Sequence, residues 1–267
     1  LLGSPISVWI IVEQLIRKSL KYEGIIYYHF NKKKHIYKLE LSHFLLTMSS
    51  GLDALDFGIE GNSAAAEDNY QNSNDWLKTV LEACRINEPG TQTNYGSTNP
   101  FLLGVSLNER LEQPLALYMD QKLLSQLGIT NYIIQTENTS TTPYFGTGMY
   151  LTPIDKLKFG QLYLNKGTWK GQQITWKNWV EESFKKHLRL ENTNDKNEYG
   201  YLWWHKTYVI NNRNIASIEA SGAGGQNIFV IPELNTVVVI TSGNYRNGKY
   251  QQPEKILEEY ILPAILK

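Results

Sequence analysis

At 267 residues the chain is long enough to bury a substantial core, as one large domain or two interlocked lobes. Its 26 basic and 26 acidic residues cancel, so electrostatics give no argument for nucleic acid or an anionic membrane surface as a partner. One cysteine, Cys84, excludes an internal disulfide framework and a multi-cysteine metal site, and leaves the compartment (periplasmic, secreted or cytoplasmic) open.

The apolar opening, Leu1 to Ile16, is interrupted by Ser4, Pro5, Ser7, Glu13 and Gln14. It is too short and broken to span a bilayer, and it lacks the basic leader of a signal peptide. A first residue other than methionine is expected of a processed or truncated product. Apolar residues at 8, 11, 12, 15, 16 and 20 predict a helix over 8–22, with Ser7 placed to cap it and Gly24 to stop it. The tyrosine- and lysine-rich stretch 25–40 shows no clear period, and its three consecutive lysines read as a solvated turn. A short helix follows over 41–48. The small polar stretch 58–75 reads as an exposed loop, with Asp75 positioned to cap a helix over 75–84.

Asn94 to Leu103 predicts a turn running into a helix that reaches past Asn108. Residues 114–127 form an amphipathic helix closed by Gly128. Thr152-Pro153 starts another, which Gly167 ends, and 176–186 is the last helix of this middle section. Then the signal changes. Residues 199–210 are aromatic and β-branched and predict a strand, and 215–220 predict another. Asn227 to Ile231 and Thr236 to Thr241 are two further strands, joined by the turn Pro232-Glu233-Leu234-Asn235. A helix over 253–266 closes the chain. The order predicts an α+β fold: an antiparallel sheet flanked by terminal helices, with a helical lobe inserted ahead of the strands. The expected lobes are 1–40 with 195–267 for the sheet, and 41–194 for the helices.

In front of the last hairpin lies Ser221-Gly222-Ala223-Gly224-Gly225-Gln226. Three glycines in four residues let a backbone bend hard and approach a ligand with its N–H groups aimed at an oxygen, although a glycine loop that only lets strands meet has the same composition. Trp203 and Trp204 alternate faces on their strand, so one is expected in the core and the other at a pocket mouth.

The segments HFLLTMSSGLD (43–53), NYGSTNPFLLG (94–104), GMYLTPIDKLKFGQLYLNKGTWKGQQIT (148–175), YGYLWWHK (199–206) and SGAGGQNIFVIPELNTVVVITSGN (221–244) resemble, in this order, those of the serine β-lactamase-type hydrolases. That group includes class C β-lactamases, DD-peptidases, related esterases and 6-aminohexanoate-oligomer hydrolases; the glycine-rich form points to the last two branches. The resemblance covers roughly residues 41–267. It implies a β-lactamase/transpeptidase-like fold and hydrolysis of a small-molecule ester or amide through an acyl-serine, without metal or cofactor. It also implies three boxes: Ser-x-x-Lys, Tyr-x-Asn or Tyr-x-Ser, and a Lys-Thr-Gly-like strand.

By resemblance the second box is Tyr95-Gly96-Ser97, with Tyr95 moving the serine proton and Ser97 bonding near the nucleophile or substrate. A tyrosine packing a turn ahead of a helix capped by Ser97 or Thr98 is the other reading. The third box is Ala220-Ser221-Gly222, with the Ala223 N–H as an oxyanion donor and Ser221, Gly222 and Trp204 near the substrate. Ala220 stands where β-lactamases place lysine, which argues against penicillin as substrate. The first box falls at Ser7-Val8-Trp9-Ile10, where isoleucine replaces the lysine. Three explanations stay open: a fragment or misread gene, a degenerate relative that keeps the cleft for binding, or a slow hydrolase in which Tyr95 alone serves Ser7. Ser183-Phe184-Lys185-Lys186 has the spacing of the first box but reads as a solvated helix face. The five histidines lack metal-ligand spacing and read as surface or packing residues. An α/β-hydrolase is disfavoured because no Gly-x-Ser-x-Gly elbow is present.

Overall fold

Six antiparallel strands carry the architecture: β7 (Leu188–Arg189), β8 (Glu198–Tyr199), β9 (Trp204–Ile210), β10 (Arg213–Gly222), β11 (Gln226–Ile231) and β12 (Thr236–Thr241). They lie side by side in chain order. This computed structural model describes residues 26–30, 33–37, 40–56, 63–191 and 197–267. The expected helix over 8–22, with Ser7 and Ile10, lies outside the described residues.

Alternation along the strands sorts side chains onto two faces. Ala220, Ile228 and Val230 face the helices that precede the sheet and join their core. Ile215, Phe229 and Ile231 face the other way, against Leu257 and Leu262 of the C-terminal helix (Gln252–Ile256, a π turn Leu257–Ile261, then Leu262–Ile265). The Pro153–Leu164 helix begins as its sequence dictates, with Thr152 Oγ1 accepting from the Asp155 N–H and proline in the first turn. It lies against β11 and β12 because Gly160 allows it; a Cβ there would come within 2.6 Å of Val237 and 2.8 Å of Ile228. Trp203 is fully buried beneath this helix, between Phe159, Tyr163 and Phe184.

Several elements depart from the sequence reading. Residues 25–40 contain a hairpin, β1 (Ile26–Phe30) with β2 (Lys33–Tyr37), where strand-forming tyrosine and isoleucine outweigh the missing alternation. The stretch 58–75 is not all exposed loop: Glu67–Gln71 is helical and Tyr70 is fully buried, stacked on Phe101. The strand expected over 199–210 is broken between β8 and β9, where Leu202 takes a left-handed backbone (φ 62°). β3 (Ile133–Ile134) pairs with β4 (Met149–Tyr150), and β5 (Thr168–Trp169) with β6 (Gln172–Gln173) makes a small hairpin within what reads as a helix-to-helix link. Ser183 is buried, its Oγ donating to the Trp179 carbonyl, so only the lysines of its segment form a solvated face. Burial wins there because Ser183 satisfies its hydroxyl within its own helix.

On the outer face of β10, Glu219 is fully buried and accepts from the Tyr208 hydroxyl at 2.8 Å. Burial pushes its carboxyl up to about 7, Lys206 opposing and Glu254 reinforcing the rise. An acid whose folded pKa is raised stabilises most below its unfolded pKa, and that contribution is lost as pH climbs through the folded value. Glu219→Gln is therefore expected to raise Tm at pH 8 and to lose most of that gain by pH 5. Thermal unfolding of both proteins across this range checks it.

Candidate functional site

The loop into the Thr98–Asn108 helix carries Tyr95-Gly96-Ser97, and its shape is set by close backbone contact. A Cβ on Gly96 would lie 1.8 Å from the Ala54 carbonyl oxygen, so only glycine lets the two segments meet. Asn94 N–H donates to the Met48 carbonyl at 2.8 Å, and Asp56 N–H to the Tyr95 carbonyl at 3.2 Å.

Behind the loop sit two carboxyl groups. Asp56 Oδ2 accepts the Ser97 N–H at 2.6 Å and Oδ1 the Glu67 N–H at 2.8 Å. Glu67 Oε2 accepts from Ser97 Oγ at 3.2 Å, while its Oε1 accepts from Tyr144 at 2.5 Å and Gln71 at 3.0 Å. Burial raises the pKa of both carboxyls, against the hydrogen bonds that favour their charged forms. Ser97 stands at the helix N-cap position without a side-chain capping bond, and Thr98 Oγ1 donates instead to the Ala65 carbonyl. Neither caps the helix through its side chain.

The Tyr95 ring tilts against Trp204 with centroids 5.0 Å apart, and meets Tyr199 edge-on at 6.2 Å. Trp204 is thus the half-buried member of the tryptophan pair and Trp203 the core member. Burial first, then the nearby Asp56 and Glu67, hold the Tyr95 phenol well above its ordinary pKa. At neutral pH Tyr95 is a proton-bearing phenol, not a phenolate.

Trp204 is the cross-strand partner of Glu219 on β10, two residues before Ser221. The tyrosine loop and the glycine turn therefore reach the same end of the sheet. There Ser221 pairs with Asn227 and Gly222 with Gln226, and Asn227 Nδ2 donates to Ser221 Oγ at 3.2 Å. Ala223 is exposed at the tip of the turn, while Gly224 (φ 78°) and Gly225 (φ 79°) take left-handed backbones that favour glycine. Arg246 pairs with Asp68, the neighbour of Glu67, at 3.2 Å.

Asp56, Glu67 and Tyr144 have no counterpart in the sequence reading: their spacings of 11 and 77 residues follow no helix or strand period. His43 packs edge-on against Phe44 and Tyr201, its Nδ1 meeting the Tyr201 hydroxyl at 3.1 Å, and His187 stacks on the same tyrosine ring. Among the described residues no cluster of three or more His, Cys, Asp or Glu is arranged to hold a metal, and no helix is long and apolar enough to cross a membrane.

Comparison with solved structures gives the same fold. A protein described as a 6-aminohexanoate-dimer hydrolase from Bacillus anthracis superposes with a TM-score of 0.70 at 19% identity, covering 97% of this chain and 73% of its own. EstCE1, a hydrolase with promiscuous acyltransferase activity, gives 0.61 at 15% identity over 93% and 81%. A beta-lactamase from Mycobacterium bovis gives 0.62 at 13% over 97% and 87%. No curated protein matches the chain. The beta-lactamase family model matches residues 43–259, which include the tyrosine loop and the glycine turn. Membership of such a family supports a serine-hydrolase type of function in general. The chain belongs to the beta-lactamase family.

Proposed function

We propose that this chain is a serine hydrolase of the β-lactamase-related type, cleaving a small ester or amide through an acyl-serine and impaired at its first box. In this reading Ser7 Oγ bonds to the substrate carbonyl carbon as the C–O or C–N bond breaks. The serine proton passes through the Tyr95 hydroxyl to the leaving group, and water then releases the acyl group. The Ala223 N–H faces the developing oxyanion, with Ser97, Ser221, Gly222 and Trp204 around the substrate. In this reading residues 1–40 with 195–267 form the sheet lobe and 41–194 the helical lobe, with β7 joining the sheet from the latter. The observation that carries it is the packing of Tyr95 on Trp204, level with the last residues of β10 before the glycine turn. A protonated phenol suits a group that hands on a proton already in flight better than one that must first remove it.

A second reading, a silent relative that keeps the cleft for binding, draws on that same protonated Tyr95 and on Ile10 in the lysine position. Hydrolysis of p-nitrophenyl butyrate separates the two. The hydrolase reading expects a slow rate, well under about one turnover per second, that falls at least tenfold in Tyr95→Phe. A rate equal to buffer favours the silent relative, and a rate unaffected by Tyr95→Phe removes Tyr95 from the mechanism.

A further inference from the structure

The Pro153–Leu164 helix buries a lysine against the sheet. Lys156 lies in its first turn, only 5% exposed, and its Nζ donates to Gln226 Oε1 at 3.0 Å. Gly160, one turn further on, touches Ile228, the second residue along β11 from Gln226. The amine therefore enters at the start of β11, the end that carries the glycine turn.

Among the described residues no anion meets it there. β11 and β12 hold no ionisable side chain, and neither does the Thr168–Trp169 strand that also packs on the helix. On its own helix, Asp155 is engaged by Lys158 at 2.8 Å and by Thr152 at 2.6 Å, and Lys158 also reaches the Gly128 carbonyl. Burial brings the Lys156 amine down to about 8, as expected for an ammonium held without a counter-charge.

What the amine does is fix an amide. The two ends of a glutamine side chain are nearly the same shape, and only its oxygen can face a lysine donor. With Oε1 held by Lys156, Gln226 Nε2 is turned to the Ser242 carbonyl, which accepts at 2.5 Å. Ser242 in turn holds the glycine turn: its Oγ reaches the Gly224 carbonyl at 2.8 Å and the Gly225 carbonyl at 3.1 Å, and its N–H donates to Gly225. The chain from Nζ to both turn carbonyls has no gap. A flipped amide would set its oxygen against the Ser242 carbonyl and release that hold.

We propose that Lys156 is a positioning residue for the glycine turn, acting through Gln226 and Ser242 to hold the Gly224 and Gly225 carbonyls. Its catalytic consequence rests on reading that turn as the oxyanion donor, whereas its structural consequence does not. Because a charged donor makes the stronger bond, the hold weakens as the amine loses its proton.

The test is amide NMR of the full chain from pH 6 to 10. In the unsubstituted protein the Gly224, Gly225 and Ser242 resonances should move with a midpoint near 8, together with the Lys156 13Cε signal. Lys156→Met should abolish that step at the glycines. Gln226→Leu should keep the Lys156 titration and lose the glycine response, which a purely structural lysine would not produce. Flat glycine resonances in the unsubstituted protein overturn the proposal without any variant having to fold. Glycine responses that persist in Gln226→Leu overturn the relay. Absence of ester hydrolysis would instead count against the hydrolase reading and leave this result standing.

Discussion

Ile10→Lys should raise hydrolysis of p-nitrophenyl butyrate by about a hundredfold over the unsubstituted chain, the lower end of what a positioned general base supplies. The expectation combines two features. An aliphatic side chain cannot accept a proton, and isoleucine stands at the position where the family resemblance places the lysine of the first box. In the proposed mechanism Tyr95 relays a proton and does not first remove it, because burial and the carboxyl groups of Asp56 and Glu67 disfavour its phenolate. The gain should vanish when Tyr95→Phe is added, since lysine and tyrosine serve one proton path and their effects are not independent. An unchanged rate in Ile10→Lys would count against assigning Ser7-Val8-Trp9-Ile10 to the first box.

Gly96→Ala should lower stability by about 3 kcal/mol, at the upper end of what overpacking a tight site costs. For a chain of this size that is a fall in Tm of roughly 6–12 °C. The added methyl would stand 1.8 Å from the Ala54 carbonyl oxygen, which belongs to backbone and has no rotamer into which to retreat. Relief requires the tyrosine loop or the 52–56 segment to move. Asp56 bonds to the Ser97 N–H and donates its own N–H to the Tyr95 carbonyl, so that movement displaces the whole loop. Any residual ester hydrolysis should fall with it. A Tm within 2 °C of the unsubstituted protein would show that the loop is not held by this contact.

The sequence reading was most reliable where local chemistry sets the structure. Thr152-Pro153 caps and starts its helix, Asp75 accepts from the Lys78 N–H, and the β-branched run 236–241 pairs in full register with β11. Each of these depends on neighbours within a few residues. The fold class followed from the order of such segments and from five matches to one family.

What the sequence hid depends on partners far along the chain. Nothing near Glu67 announces that Tyr144 will donate to it, and nothing near Ser97 that Asp56 will take its N–H. Lys156 belongs to a helix readily found from its sequence, yet which face that helix presents to the sheet is decided by Gly160 fitting beside Val237 and Ile228. The break between β8 and β9 comes from a left-handed Leu202, a conformation that no leucine side chain advertises.

Which hydroxyl takes an acyl-type label separates an acylating serine from a silent cleft. Prolonged treatment with a fluorophosphonate probe, followed by peptide mapping, should place one slow adduct on Ser7, and Tyr95→Phe should slow it at least tenfold. An adduct on another serine, or an unmodified Ser7 after exhaustive treatment of folded protein, would contradict it.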